Sequence, residues 1–151
     1  MNDDPTEIAE ALSAAFSELK PPAPPVTIGN GPIEQTVESV LAGREADDLT
    51  PDDALAIRLD LWTLTPEAFA YYVPALARML LADKMAVDAL GEGLWTALAP
   101  PTEPGRREKF DARIAVLDDD QRAAIGRFVC WYLCSEEELP RADEAREYWN
   151  C

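Results

Sequence analysis

Apolar residues recur along most of this chain at the three-to-four-residue spacing of an amphipathic α-helix. The longest such stripe runs through residues 66–82 and includes Phe69, Tyr72, Leu76 and Leu80. No segment has the alternation and turn residues of a clear β-hairpin. The pattern predicts helices over about residues 5–19, 32–42, 66–82, 86–98, 106–117 and 119–135, with a short last helix beginning at Pro140.

Three helix starts are marked by capping residues. Thr50 and Thr65 are each followed by a proline and then an acid. The threonine can cap the first-turn donors, and the proline suits the first helical position. Asp118 and Gln121 have the spacing of a capping box. These signals predict helices that begin at residues 51, 66 and 119.

Residues 55–61 allow two interpretations, because every second residue is apolar as in a strand. The cap at Thr50 and the lack of a hairpin partner favour a helix. The prolines between Pro21 and Pro25 predict an extended connection over about residues 21–31. The fold class predicted is all-α: one domain over residues 1–151, a compact bundle of about six or seven helices with proline-rich connections.

The net charge of the chain bears on its possible binding partners more than on its fold. The chain has 29 acidic residues, 13 basic residues and no histidine, for a formal net charge of −16. This charge disfavours direct binding to nucleic acid or to an anionic membrane, and it favours a basic protein partner. Without histidine, a serine or cysteine triad of the usual kind cannot be built.

The remaining polar residues predict no catalytic group, cofactor or metal site. The acidic pair at residues 52–53 and the acidic triplet at residues 118–120 lie where helix N-termini attract negative charge, so the helix dipole accounts for them. Cys130, Cys134 and Cys151 lack the spacing and partners of a zinc site. We expect them to be buried reduced thiols. Since no signal peptide or membrane span is indicated, we expect a cytoplasmic protein.

Two segments resemble a bacterial family known only as a domain of unknown function. Residues 64–75 read LTPEAFAYYVPA, and residues 117–128 read LDDDQRAAIGRF. They are similar to the family's L-T-P-E-A-F-x-Y-Y-L-P-A stretch and its later L-x-x-x-Q-R-x-A-[IV]-x-x-F helix, and the similarity covers about residues 45–135. The resemblance implies a compact helical domain and brings no activity or site residues. The chain departs from it with Val73 in place of leucine and an acidic triplet in place of a threonine-proline cap.

Two classes of function remain open. The first is a non-catalytic acidic interaction module, most concretely an immunity or inhibitor protein that binds a basic toxin or nuclease surface. Its candidate contacts are acids from the first half of the chain: Glu34, Glu38, Asp47, Asp48, Asp52 and Asp53. The alternative is a small-ligand-binding protein or carboxylate-based enzyme, with Glu67, Tyr71 and Tyr72 lining a helical pocket and Glu67 as acid or base.

Overall fold

The computed structural model describes residues 4–151. Within this range the protein consists of α-helices and two short 3₁₀ turns, at 46–48 and 61–63, with no β-strand. The helices are α1 (Pro5–Ala15), α2 (Pro32–Leu41), α3 (Pro51–Ile57), α4 (Pro66–Ala82), α5 (Asp88–Leu98), α6 (Pro104–Ala115), α7 (Asp119–Ser135) and α8 (Ala142–Trp149). The all-α prediction is confirmed for the described residues.

The prediction of about six or seven helices was slightly low, because the described residues form eight. The two shortest helices are α3, with seven residues, and α8, with eight. Helices of this length are unstable alone. In α3 the Thr50 cap supports the first turn, and α8 buries Ala145 and Trp149 in the core.

The core is organised around α4, which packs against α1, α5 and α6. Ten of its 17 residues are buried, and α1 also packs on α7. Tyr72 is fully buried in α4, and its hydroxyl lies 2.7 Å from the carbonyl oxygen of Leu41 and 2.8 Å from that of Arg44. This residue therefore ties the C-terminal end of α2 to the central helix.

The three predicted caps form. The Thr50 hydroxyl accepts a hydrogen bond from the Asp53 amide, and the Thr65 hydroxyl accepts one from the Ala68 amide, each at 3.2 Å. The Asp118 carboxylate accepts from the Gln121 amide at 2.8 Å, and the Gln121 side chain accepts from the Asp118 amide at 3.0 Å. Local sequence signals thus fix where α3, α4 and α7 begin.

The proline-rich connection contains no helix between residues 21 and 31, as expected. It is held against the segment before α4 by two backbone hydrogen bonds. The Ile28 amide donates to the Thr63 carbonyl at 2.7 Å, and the Thr65 amide donates to the Val26 carbonyl at 2.9 Å. These bonds flank an isolated antiparallel bridge between Thr27 and Leu64.

Residues 51–57 are helical, which supports the helix interpretation of the ambiguous segment, but α3 ends before Leu59. Leu59 is exposed, whereas Ile57 and Leu61 are buried. Ile33 is apolar but 46% exposed. It lies in the first turn of α2, where Val37 and Leu41 supply the buried contacts.

The expectation of three buried reduced thiols was wrong. Cys130 and Cys151 form a disulfide, and Cys134 is an exposed free cysteine. Asn150 has a left-handed backbone conformation, and the Cys151 amide bonds back to the Arg146 carbonyl. This turn at the end of α8 brings the Cα atoms of Cys130 and Cys151 to 5.4 Å, within the range that a disulfide needs.

Within residues 4–151, no helix is long and apolar enough to cross a membrane. The first three residues of the predicted 1–151 domain lie outside the described part of the chain.

Candidate functional site

The six candidate acids do not form one binding surface, because three of them accept hydrogen bonds from the protein's own backbone. Glu38 is the clearest case. Its Oε1 accepts hydrogen bonds from the Val26 amide and from the amide and hydroxyl of Thr27, the last two at 2.9 and 3.1 Å. A carboxylate used in this way anchors the proline-rich connection to α2 and is poorly placed to meet a partner.

Glu34 and Asp53 are also engaged at helix starts. Glu34 accepts from the Gly31 amide at 2.8 Å. Asp53 accepts from the Thr50 amide at 2.9 Å and forms an ion pair with Arg44 at 2.8 Å. The hydrogen bond from the Thr50 backbone, followed by the interactions with Arg44, lowers the pKa of Asp53 below its ordinary value, although partial burial acts in the opposite direction. Both acids therefore stabilise helix starts.

The other three candidates, Asp47, Asp48 and Asp52, are exposed, and we call them the acidic corner. They lie on the 3₁₀ turn at 46–48 and in the first turn of α3. The Asp47 side chain is 84% exposed and makes a long ion pair of 3.4 Å with Arg78 of α4. An exposed pair of this kind contributes little stability, so its carboxylate can exchange partners easily.

Arg44 connects the two segments that carry the acidic corner. Its Nη2 donates to the Asp48 carbonyl oxygen at 2.7 Å, and its Nη1 donates to the Asp53 carboxylate at 2.8 Å. The 3₁₀ turn and the start of α3 are thereby joined through a single guanidinium group. The segments that carry the exposed carboxylates are therefore fixed by hydrogen bonds to Arg44.

A groove lies between the proline-rich connection and the start of α4. Its volume is about 560 Å³, and we call it the proline groove. It is lined by residues from the connection, from α4 and from the segment around the start of α7: Leu19, Lys20, Pro22, Ala23, Pro25, Thr65, Glu67, Ala70, Tyr71, Val116 and Gln121.

Tyr71 links the groove to the corner. Its hydroxyl accepts a hydrogen bond of 3.0 Å from the amide of Ala46, which immediately precedes Asp47. Glu67, Tyr71 and Arg78 follow one another along one side of α4 at intervals of four and seven residues. This side of α4 therefore runs from the proline groove to the Asp47 ion pair.

The alternative hypothesis placed Glu67, Tyr71 and Tyr72 together in a pocket. Glu67 and Tyr71 do line the proline groove, but Tyr72 is buried on another side of α4 with its hydroxyl bound to backbone carbonyls. Within residues 4–151, no group of three or more histidine, cysteine, aspartate or glutamate residues could hold a metal ion.

Sequence reasoning missed the groove because its walls come from distant segments. Leu19, Tyr71 and Val116 meet only after α1, α4 and α6 have packed. The spacing of Glu67, Tyr71 and Arg78 on one helix side was visible in the sequence and was the one available signal.

Comparison with protein families, with curated proteins and with solved structures finds no match for this chain. The resemblance to an uncharacterised bacterial family therefore stays an expectation.

Proposed function

We propose that the protein is a non-catalytic acidic interaction module, most concretely an immunity or inhibitor protein that binds a basic toxin or nuclease surface. The observation that supports this proposal is the link between the acidic corner and the proline groove through Tyr71, which lines the groove and accepts a hydrogen bond from the Ala46 amide. Asp47, Asp48 and Asp52 offer negative charge at an exposed site, and the groove to which Tyr71 connects them offers apolar surface.

The two parts have different tasks in binding. Exposed charges of one sign speed up encounter with a partner of the other sign, and their effect declines as salt is added. Affinity comes mainly from apolar or aromatic side chains that enter a desolvated pocket. The partner surface we expect has lysine or arginine residues around a protruding apolar side chain. Tyr71 and Val116 line the groove that would receive this side chain.

The test is association kinetics with a basic protein, beginning with the product of the neighbouring gene, at low and high salt. We expect the association rate to fall markedly as ionic strength rises. Neutralising the acidic corner with Asp47→Asn, Asp48→Asn and Asp52→Asn should slow association at low salt by roughly tenfold.

A matched variant separates local recognition from overall charge. Asp119→Asn, Asp120→Asn and Asp143→Asn also removes three exposed acids from helix first turns, including one in an exposed ion pair with Arg146. This variant should associate nearly as fast as the unmodified protein. Equal slowing by the two triple variants would remove the acidic corner from the binding site, and salt-independent association would contradict charge steering.

The compartment belongs to the same proposal. The sequence favours the cytoplasm, whereas disulfides persist mainly in oxidising compartments. Thiol labelling of protein trapped directly in its cells measures the state of Cys130 and Cys151. A reduced pair would support a cytoplasmic inhibitor, and an oxidised pair would place the inhibitor outside the cytoplasm.

A further inference from the structure

A second cavity is lined mainly by basic residues, although the protein as a whole is strongly acidic. It has a volume of about 550 Å³ and lies among α4, α5, α6 and residues 59–62. The buried rings of Phe69 and Phe110 line it. Trp62 and Leu59 also line it and are each 53% exposed, which is unusual for large apolar side chains. The cavity therefore combines an aromatic interior with an open apolar rim.

The charge at this cavity is positive. Arg106, Lys109, Arg113 and Arg141 line it, together with one acid, Glu103, among the described residues. Four of the chain's 13 basic residues thus meet one of its 29 acids. In a protein of net charge −16, this local reversal is not what a general acidic exterior produces. We call this cavity the basic pocket.

Arg113 gives the strongest evidence, because its charge is buried without a carboxylate partner. The residue is 8% exposed, and its guanidinium donates to the backbone carbonyls of Trp62 and Leu64. None of the described carboxylates forms an ion pair with it, and burial lowers its pKa. The Phe69 ring, whose centroid lies 5.9 Å from the guanidinium carbon, offers only partial compensation.

A buried charge that is hydrogen-bonded only to neutral groups is costly, and an anion in the pocket would offset part of that cost. Arg106 and Lys109 stand on the same helix as Arg113, at intervals of three and four residues, so all three lie on one side of α6. Their side chains and Arg113 can therefore act on one ligand group. The cavity volume also lies in the range of small-molecule sites.

We propose that the basic pocket binds a small organic anion with an oxyanion head group, carboxylate or phosphate, on a flat apolar body. Arg106, Lys109 and Arg113 hold the head group, and the body lies against Trp62 and Phe110. This site is separate from the acidic corner and takes a ligand of opposite charge, so it does not depend on the proposed inhibitor function.

The test uses naphthyl phosphate and naphthoate as probes, with naphthalenemethanol as a neutral analogue and inorganic phosphate as a head group without a body. Binding is followed by NMR through the Trp62 indole and the backbone amides of α6, up to millimolar concentration. Both aromatic anions should bind at this site. The neutral analogue and inorganic phosphate should bind at least about tenfold more weakly, because each lacks one of the two contacts. The tighter of the two anions identifies the preferred head group.

The decisive variant is Arg106→Gln, with Arg146→Gln as its control. Each arginine is exposed and forms an ion pair with an acid three residues earlier, at 3.4 Å for Arg106 and 3.0 Å for Arg146, but only Arg106 lines the pocket. Arg106→Gln should weaken anion binding roughly threefold to tenfold, as expected for one partly screened charge. Arg146→Gln should leave it unchanged.

Arg113 also ties the backbone of residues 62 and 64 to α6, so replacing it would test folding as well as binding. Three results would overturn the proposal: no binding of either aromatic anion, equal binding of the neutral analogue, or equal effects of Arg106→Gln and Arg146→Gln.

Discussion

Gly93 offers the sharpest test of how the helices pack. It is buried within α5, where the backbone of Arg58 at the end of α3 approaches it directly. A Cβ atom added at Gly93 would lie 1.7 Å from the Arg58 carbonyl oxygen, whereas real Cβ atoms essentially never come closer than 3.0 Å to such an atom. Gly93→Ala therefore forces α3 and α5 apart.

The size of the effect follows from two opposing terms. Alanine is favoured over glycine within a helix by about 1 kcal/mol. Relief of the contact requires a backbone displacement of about 1.3 Å, the difference between 1.7 and 3.0 Å. Overpacking usually costs about 1–3 kcal/mol, and a clash with backbone belongs at the upper end because no side chain can rotate away. We expect a net loss of about 2 kcal/mol in the free energy of unfolding.

The assay is equilibrium unfolding in urea, followed by circular dichroism and tryptophan fluorescence. Gly105→Ala is the control, since a Cβ atom at Gly105 in α6 would meet nothing within 4 Å. The control should match or slightly exceed the stability of the unmodified protein. If Gly93→Ala were as stable as Gly105→Ala, the close approach of α3 to α5 would be wrong.

Three further predictions concern single groups. Tyr72→Phe should lower the free energy of unfolding by about 1–2 kcal/mol, because the buried Leu41 carbonyl and the part-buried Arg44 carbonyl lose the one hydroxyl proton that they share. Burial raises the pKa of Tyr72 from 10.0 to about 12. The stabilising effect of its hydroxyl is therefore complete below pH 10.0 and is lost as the pH rises through about 12. Unfolding of Tyr72→Phe and of the unmodified protein at alkaline pH measures this loss. The lowered pKa of Asp53 means that its contribution is present above the ordinary value of 3.8 and is lost as the pH falls through the lower folded value. The stabilities of Asp53→Asn and the unmodified protein should therefore converge in acid urea titrations. Cys151→Ser should cost about 3 kcal/mol in thermal unfolding under oxidising conditions, and the difference should disappear with reductant.

Helix starts could be predicted from the sequence because their causes are local. A threonine or aspartate that caps the amides two or three residues later acts within one turn, and α3, α4 and α7 begin where these residues predict. The stripe along α4 was equally readable, because burial of one helix side requires the apolar spacing.

Contacts between distant segments could not be predicted in this way. Glu38 looked like a free surface acid, yet it satisfies backbone donors eleven and twelve residues earlier in the chain. The Cys130–Cys151 pairing depends on the turn at Asn150. Asp47, Asp48 and Asp52 were visible in the sequence as acids, but nothing in the sequence showed that they remain exposed while Glu34, Glu38 and Asp53 are engaged by the fold.

Part of the lining of the basic pocket could be recognised in the sequence. Arg106, Lys109 and Arg113 have the spacing of one helix side, a pattern that stands out in so acidic a chain. Arg141 joins them from the segment before α8, and its side chain is held by the Ala99 carbonyl at 2.9 Å. That meeting depends on the docking of α8, which the spacing of residues along the chain does not encode.

The central claim is that binding surfaces of opposite charge lie apart on one helical body. The most direct measurement is the amide correlation NMR spectrum of the isotope-labelled protein, titrated separately with a lysine-rich peptide containing one aromatic residue and with naphthyl phosphate. The peptide should shift signals around Asp47, Asp52 and Tyr71, and the phosphate should shift the Trp62 indole and α6. Overlapping sets of shifted residues, or peptide-induced shifts spread evenly over all the acidic helices, would contradict the account.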